Sequence, residues 1–419
     1  MSVAAKRHRG LNMENEIRDY LQACLYTSEI TERIVALTDS NGVHPNRGWV
    51  YDSELGFVHV RAIHSGDGVN GTNTFCDYER DGARRLISFS DRPSRLHTYG
   101  NSYTHCNQVN DGETWQEFLA AHLQEPIRNY GVGGYSVYQA YRRMREVHRN
   151  GARINYIILN IYDDDHYRNL ISWCRPPFTS HQIGPNSMPR PHLGVDIGGS
   201  SFTEHDNPIA AVDELHQLCD LDFVCDRFGE DPLVYLGLAM MKKGEKAVAF
   251  LEGACERFGL QVPAGAANDV EKAARDVFTK AALYSTRHVV GLVERFCENN
   301  GIELMFVLSY RGSSTSRNPC SLRSMLGGGK RFDQEFVDWL TERRYPVVDM
   351  YQAFKTEFES SAMDVDAFVK RYYIGHHTPY GNFFTACTLI DHLVDWLNPK
   401  PPPYDLHTME DRKIGRSQA

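Results

Sequence analysis

Four short polar segments of the chain carry the residue types of acyl-transfer chemistry. Gly100 to His105 (GNSYTH) offers the hydroxyl of Ser102. Asn129 to Ser136 (NYGVGGYS) offers a turn with Gly131, Gly133 and Gly134. Tyr162 to Asn169 (YDDDHYRN) brings Asp163, Asp164, Asp165 and His166, and Tyr372 to Asn382 (YYIGHHTPYGN) brings His376 and His377. A serine hydroxyl is a weak nucleophile until a neighbouring imidazole takes its proton. The tetrahedral intermediate then needs donors already aimed at its oxyanion, and backbone N–H groups of a glycine-rich turn supply them. Glycine suits such a turn because it accepts positive φ and lets a ligand approach the backbone. Taken singly, each fragment has an ordinary structural explanation as a turn, a cap or a tight connection. Their order along the chain makes the set informative.

The elements between them read as strand, helix, strand. Residues 95–100 form a short strand, 113–123 a helix burying Trp115, Phe118, Leu119 and Leu123, and 126–130 a second strand. Residues 137–149 form a helix, and 154–161 (INYIILNI) are nearly all apolar, as a strand covered on both faces should be. The alternation predicts a parallel sheet with right-handed crossovers. Later come a long helix near 269–299, a strand at 303–308, a helix at 333–342 and a short strand at 346–350. A last helix runs over 379–397, with Thr378 as N-cap and Pro379 at its first position. In a doubly wound sheet the functional residues lie just past the carboxyl ends of the strands. All four polar segments fall there, so a serine, a glycine-rich turn, an acidic cluster and a histidine should converge on one edge.

This set resembles the SGNH, or GDSL-type, esterases and lipases. That family carries G-D-S-x after the first strand, N-x-G-x-x-G after the second, G-x-N-D after the third and D-x-x-H before the last helix. Here Gly100-Asn101-Ser102 stands in the first block and Asn129-Tyr130-Gly131-Val132-Gly133-Gly134 in the second. The resemblance covers about 95–161 and 302–397. It implies Ser102 as nucleophile, His376 as general base, and the N–H groups of Ser102 and Gly134 as oxyanion donors. Asp164 falls where the family has its oxyanion asparagine. An ionised aspartate cannot donate, so Asp164 serves only if it is protonated; otherwise Tyr162, Asn160 or a backbone group fills that place. Tyr373 stands three before His376, where the family has aspartate. The base is then oriented by a carboxylate from elsewhere or by a backbone carbonyl, and the choice between His376 and His377 stays open. The resemblance implies no cofactor.

Other residues bear on the substrate. Tyr103, Tyr135 and Tyr162, with Tyr99 and Tyr130, cluster near the strand ends, where they would stack on a sugar or aryl group or simply pack. Arg311 opens a basic stretch to Arg331 that also holds Arg317, Arg323 and Lys330, and it would recognise an anionic group or form a mobile loop. A second reading gives Asp163 to Asp165, with His376 and His377, a hard divalent metal for phosphoester hydrolysis. Three consecutive residues cannot all face one site, which counts against it.

The 419 residues are 42% hydrophobic and 24% charged, an ordinary globular composition. A net charge of −9 gives no electrostatic reason to expect nucleic acid or an anionic membrane as partner. The 10 cysteines form no C-x-x-C pair, and the chain holds no apolar run long enough to span a membrane, so a reducing, cytoplasmic setting is expected. The N-terminus has basic residues but no apolar core of a secretory leader. The expectation is a flavodoxin-like three-layer α/β domain over 93–398, with a helical cap inserted at 170–265. A helix and β-rich region precede it over 1–92, and a Pro-rich tail follows over 399–419. The expected activity is hydrolysis of a carboxylic ester, with removal of a small acyl group such as acetate from a small-molecule or carbohydrate substrate. The alternatives are acyl transfer on the same site, the metal-dependent phosphoesterase, and a non-hydrolytic relative. Sequence does not give the oligomeric state.

Overall fold

A computed structural model describes residues 3–39, 48–173, 187–315 and 320–405. Five parallel strands make the central sheet: β1 (Leu96–Gly100), β2 (Ile127–Asn129), β3 (Tyr156–Tyr162), β4 (Glu303–Ser309) and β5 (Val347–Asp349). Their order across the sheet is β5-β4-β3-β1-β2. Read from the other edge, this is 2-1-3-4-5, the flavodoxin-like doubly wound order. The order reverses between β1 and β3, which pair from Leu96↔Tyr156 to Gly100↔Asn160. A switch point of this kind opens a crevice beyond the carboxyl ends of the strands.

β3 is buried at all 7 positions, as its apolar run requires. One face of the sheet is covered by the helices Trp115–Leu123 and Pro379–Trp396. Leu119, Leu123, Leu389 and Leu393 from these helices join Leu96, Ile158 and Met305 in a single core. Trp115 is its largest member, and its indole N–H donates to the Tyr103 carbonyl at 3.0 Å, so burial leaves no polar atom unmatched. The opposite face carries Val137–Arg149 and the end of the helix Val270–Asn300, where Phe296 packs edge-on against Tyr141 and His148. The arrangement is three-layered, as the alternation predicts.

From residue 95 on the expected elements recur within two residues of their bounds, and Thr378 accepts from the Gly381 N–H as N-cap, whereas the single N-terminal helix expected is two, Val3–Gln22 and Ser28–Asp39. Sequence reading missed two helices between β5 and the last helix, Met350–Ser360 and Val365–Tyr372. The stretch read as a basic loop contains a further short helix, Leu322–Leu326, capped by Ser321.

The chain divides into two compact units. The sheet belongs to the unit built from His59–Asp165 and from Gly291 onward. The other comprises the N-terminal helices Val3–Gln22 and Ser28–Asp39, Trp49–Val58, and His166–Val290. It contains an antiparallel pair, His192–Asp196 with Ser201–His205, and the helices Leu221–Phe228, Pro232–Met241 and Gly244–Arg257. The N-terminal helices and the segment after β3 thus share one unit. Among the described residues no helix is long and apolar enough to cross a membrane.

Candidate active site

Ser102 is the first residue of a one-turn helix, Ser102–His105, that follows β1 directly. Asn101 caps it, its side-chain oxygen accepting from the Tyr103 N–H at 2.7 Å. The Asn101 amide also donates to the Asn160 carbonyl at 3.2 Å and to the carboxylate of Asp165, which in turn accepts from the Tyr162 N–H. Asp165 therefore binds the end of β1 to the end of β3. The glycine turn after β2 presses on the same helix. A Cβ on Gly131 would lie 2.3 Å from the His105 backbone nitrogen, so only glycine fits. Gly134 is buried and takes a φ of +92°.

The three consecutive aspartates divide between two sets of partners. Asp163 accepts from Arg311 through Nε at 3.0 Å and Nη2 at 3.1 Å. Asp164 lies 3.3 Å from the same guanidinium. Burial pushes the Asp163 carboxyl up, and the Arg311 guanidinium beside it pulls the other way. A carboxylate in an ion pair accepts and does not donate. Asp164 shares that guanidinium, so it could donate to an oxyanion only in a protonated form. Among the described residues no group of three or more His, Cys, Asp or Glu is arranged to hold a metal ion.

A cavity of about 730 Å³ opens beside these strand ends, lined by Tyr103, Gln108, Tyr162, Arg311, Tyr373 and His376 among others. Ser313 to Thr315, Arg323, Asp366 and Lys370 form the rest of its polar wall. Arg323 is tied to Asp366 at 2.6 Å. Tyr103 stacks on Tyr162 with ring centres 4.6 Å apart, and its hydroxyl donates to the Gly375 carbonyl at 3.2 Å. Four residues singled out by sequence, Tyr103, Tyr162, Arg311 and His376, thus meet in one place. Ser102, Gly134 and Tyr135 do not line it. Ser102 is 5% exposed and forms no hydrogen bond with His376, while Tyr135 is fully buried. Arg331, at the far end of the basic stretch, is bound to Asp333 and Asp349, and Arg317 lies outside the described residues.

The three histidines nearby differ in what they can do. His105 has both ring nitrogens engaged, by the Asn107 side chain and by the Tyr78 hydroxyl at 2.7 Å. Burial and the edge-on His59 ring hold its basicity well below the usual value. His377 is sealed among Tyr103, Phe354 and Tyr373 with no hydrogen bond to either ring nitrogen, and burial and the adjacent His376 push it down to about 3. His376 alone of the three faces the cavity. Its backbone N–H and its ring Nδ1 both meet the side-chain oxygen of Gln108, at 2.8 and 3.0 Å. Sequence reading missed Gln108. It sits in the polar run Cys106 to Asp111 with a φ of +70°, and no spacing in the sequence marks it.

No family model matches the chain, and no curated protein matches it. Two of the solved structures it is similar to are the following. A protein from Desulfitobacterium hafniense assigned to the lipolytic G-D-S-L family is 10% identical with a TM-score of 0.32, over 70% of this chain and 98% of its own. A protein from Bacteroides fragilis assigned as an acylhydrolase is 11% identical with a TM-score of 0.32, over 74% of this chain and 97% of its own. Likeness at this level carries no argument about function, and the fold rests on the strand order itself.

Proposed function

We propose that the chain hydrolyses a carboxylic ester, with Ser102 as nucleophile and His376 as general base. The observation that carries this reading is the state of His376. It faces the cavity, and its Nδ1 is committed to an acceptor, so the lone pair is left on Nε2, the form a general base needs. Ser102 precedes Tyr103, whose hydroxyl touches the residue before His376. As the first residue of its helix, Ser102 also keeps an N–H that the helix itself does not satisfy. In the reaction the Ser102 oxygen attacks the ester carbonyl while His376 takes its proton. The alkoxide leaves with that proton, and water then cleaves the acyl-enzyme by the same steps. The N–H groups of Ser102 and Gly134 are the proposed oxyanion donors.

One observation favours a second reading. Ser102 lies off the cavity wall and without a bond to His376, as in a pocket that binds its ligand and never acylates. A panel of p-nitrophenyl esters from acetate to octanoate separates the two. Hydrolysis by the wild type that is lost in both Ser102→Ala and His376→Ala supports catalysis. Hydrolysis that survives Ser102→Ala, or none from folded protein, rejects it.

A further inference from the structure

Tyr373, and no carboxylate, stands three residues before His376. Its hydroxyl is buried and meets no hydrogen-bonding partner. Gln108 contacts the imidazole instead, and its amide can be oriented without ambiguity. The His376 backbone N–H is a donor and must meet the amide oxygen, at 2.8 Å. The Asp67 carbonyl is an acceptor and must meet the amide nitrogen, at 2.9 Å. With the amide fixed at both ends, the atom facing His376 Nδ1 at 3.0 Å is an oxygen, so Nδ1 carries the hydrogen. The approach depends on Gly375. It has a φ of +131°, and a Cβ there would lie 2.7 Å from the Gln108 oxygen.

We propose that Gln108 is the positioning residue of His376, a neutral amide doing the work of the third member of a serine triad. The inference rests on the reading of His376 as the base. A neutral acceptor fixes the tautomer and the ring plane but adds no charge to hold an imidazolium. The base therefore stays neutral to lower pH than one paired with a carboxylate.

The test is the ring ¹⁵N spectrum of His376 in the full chain, assigned by comparison with His376→Gln and titrated in wild type, Gln108→Leu and Gln108→Glu. The expected wild-type result is neutral His376 protonated on Nδ1. Gln108→Leu should lose that tautomer and lower kcat/KM by about tenfold or more. Gln108→Glu should keep it and raise the His376 pKa by about one unit or more, moving the acid limb of kcat/KM to higher pH by the same amount. A wild-type ring protonated on Nε2, an unchanged tautomer in Gln108→Leu, or an unmoved pKa in Gln108→Glu overturns the assignment. These readings need no turnover. If they come out as expected while Ser102→Ala retains activity, the reading of Ser102 as nucleophile fails and the positioning of His376 by Gln108 stands.

Discussion

At the scale of single residues, partners limit what several polar groups around the cavity can do. Arg311 is held by Asp163 and Asp164, all three nearly buried. Removing one partner of a buried ion pair strands the others. Arg311→Leu should therefore cost about 3–5 kcal/mol, read as a lower urea midpoint with an unchanged slope. A smaller loss on adding Asp163→Asn would locate the cost in the stranded carboxylate. A surface-sized effect below about 1 kcal/mol would contradict the pairing. Gly375→Ala should lower activity and the melting temperature together, because its methyl displaces the Gln108 side chain and a φ of +131° strains any residue but glycine. Ser102, the glycine turn and His376 stood out in the sequence because their chemistry is scarce and ordered. Gln108 did not, because an amide becomes informative only when both of its ends are seen to be occupied.

At the scale of elements, apolar periodicity made the sheet legible. The run at β3 and the amphipathic Val137–Arg149 are unmistakable, and the caps at Thr378 and Ser136 follow ordinary rules. Met350–Ser360 was missed because it starts on the last residues of β5, with Asp349 serving both as strand end and as N-cap. The contact between the β2 turn and the Ser102 helix leaves no room for a side chain. Gly131→Ala would force a methyl into the backbone of Thr104 and His105, with a cost of about 3 kcal/mol. A melting temperature within a degree of wild type would show that the turn does not press on that helix.

At the scale of the whole molecule, several histidines are buried neutral. His97 and His377 are each 3% exposed, and burial pushes them down to about 4 and about 3. His105, also 3% exposed, is lowered in the same direction. The unfolded chain binds these protons near the ordinary histidine value, and the folded chain does not. Stability is therefore present above that value and lost as pH falls toward 4, by about 1.4 kcal/mol per pH unit for each group. Melting temperatures measured from pH 7.5 to 4 should fall steeply below about 6.5, and His377→Gln should flatten the fall. A curve flat to pH 5 would mean that these rings are already charged. The global topology was readable because strand and helix alternate from residue 95 on. The grouping of the N-terminal helices with residues 166–290 in one unit was not, because it joins segments far apart in sequence.

The central claim is that Ser102 is an activated nucleophile. Intact mass after incubation with a fluorophosphonate, on wild type and Ser102→Ala in parallel, tests it most directly. The account predicts one adduct on the wild type and none on the variant. Folded wild type that stays unlabelled, or an adduct that persists in Ser102→Ala, would contradict it.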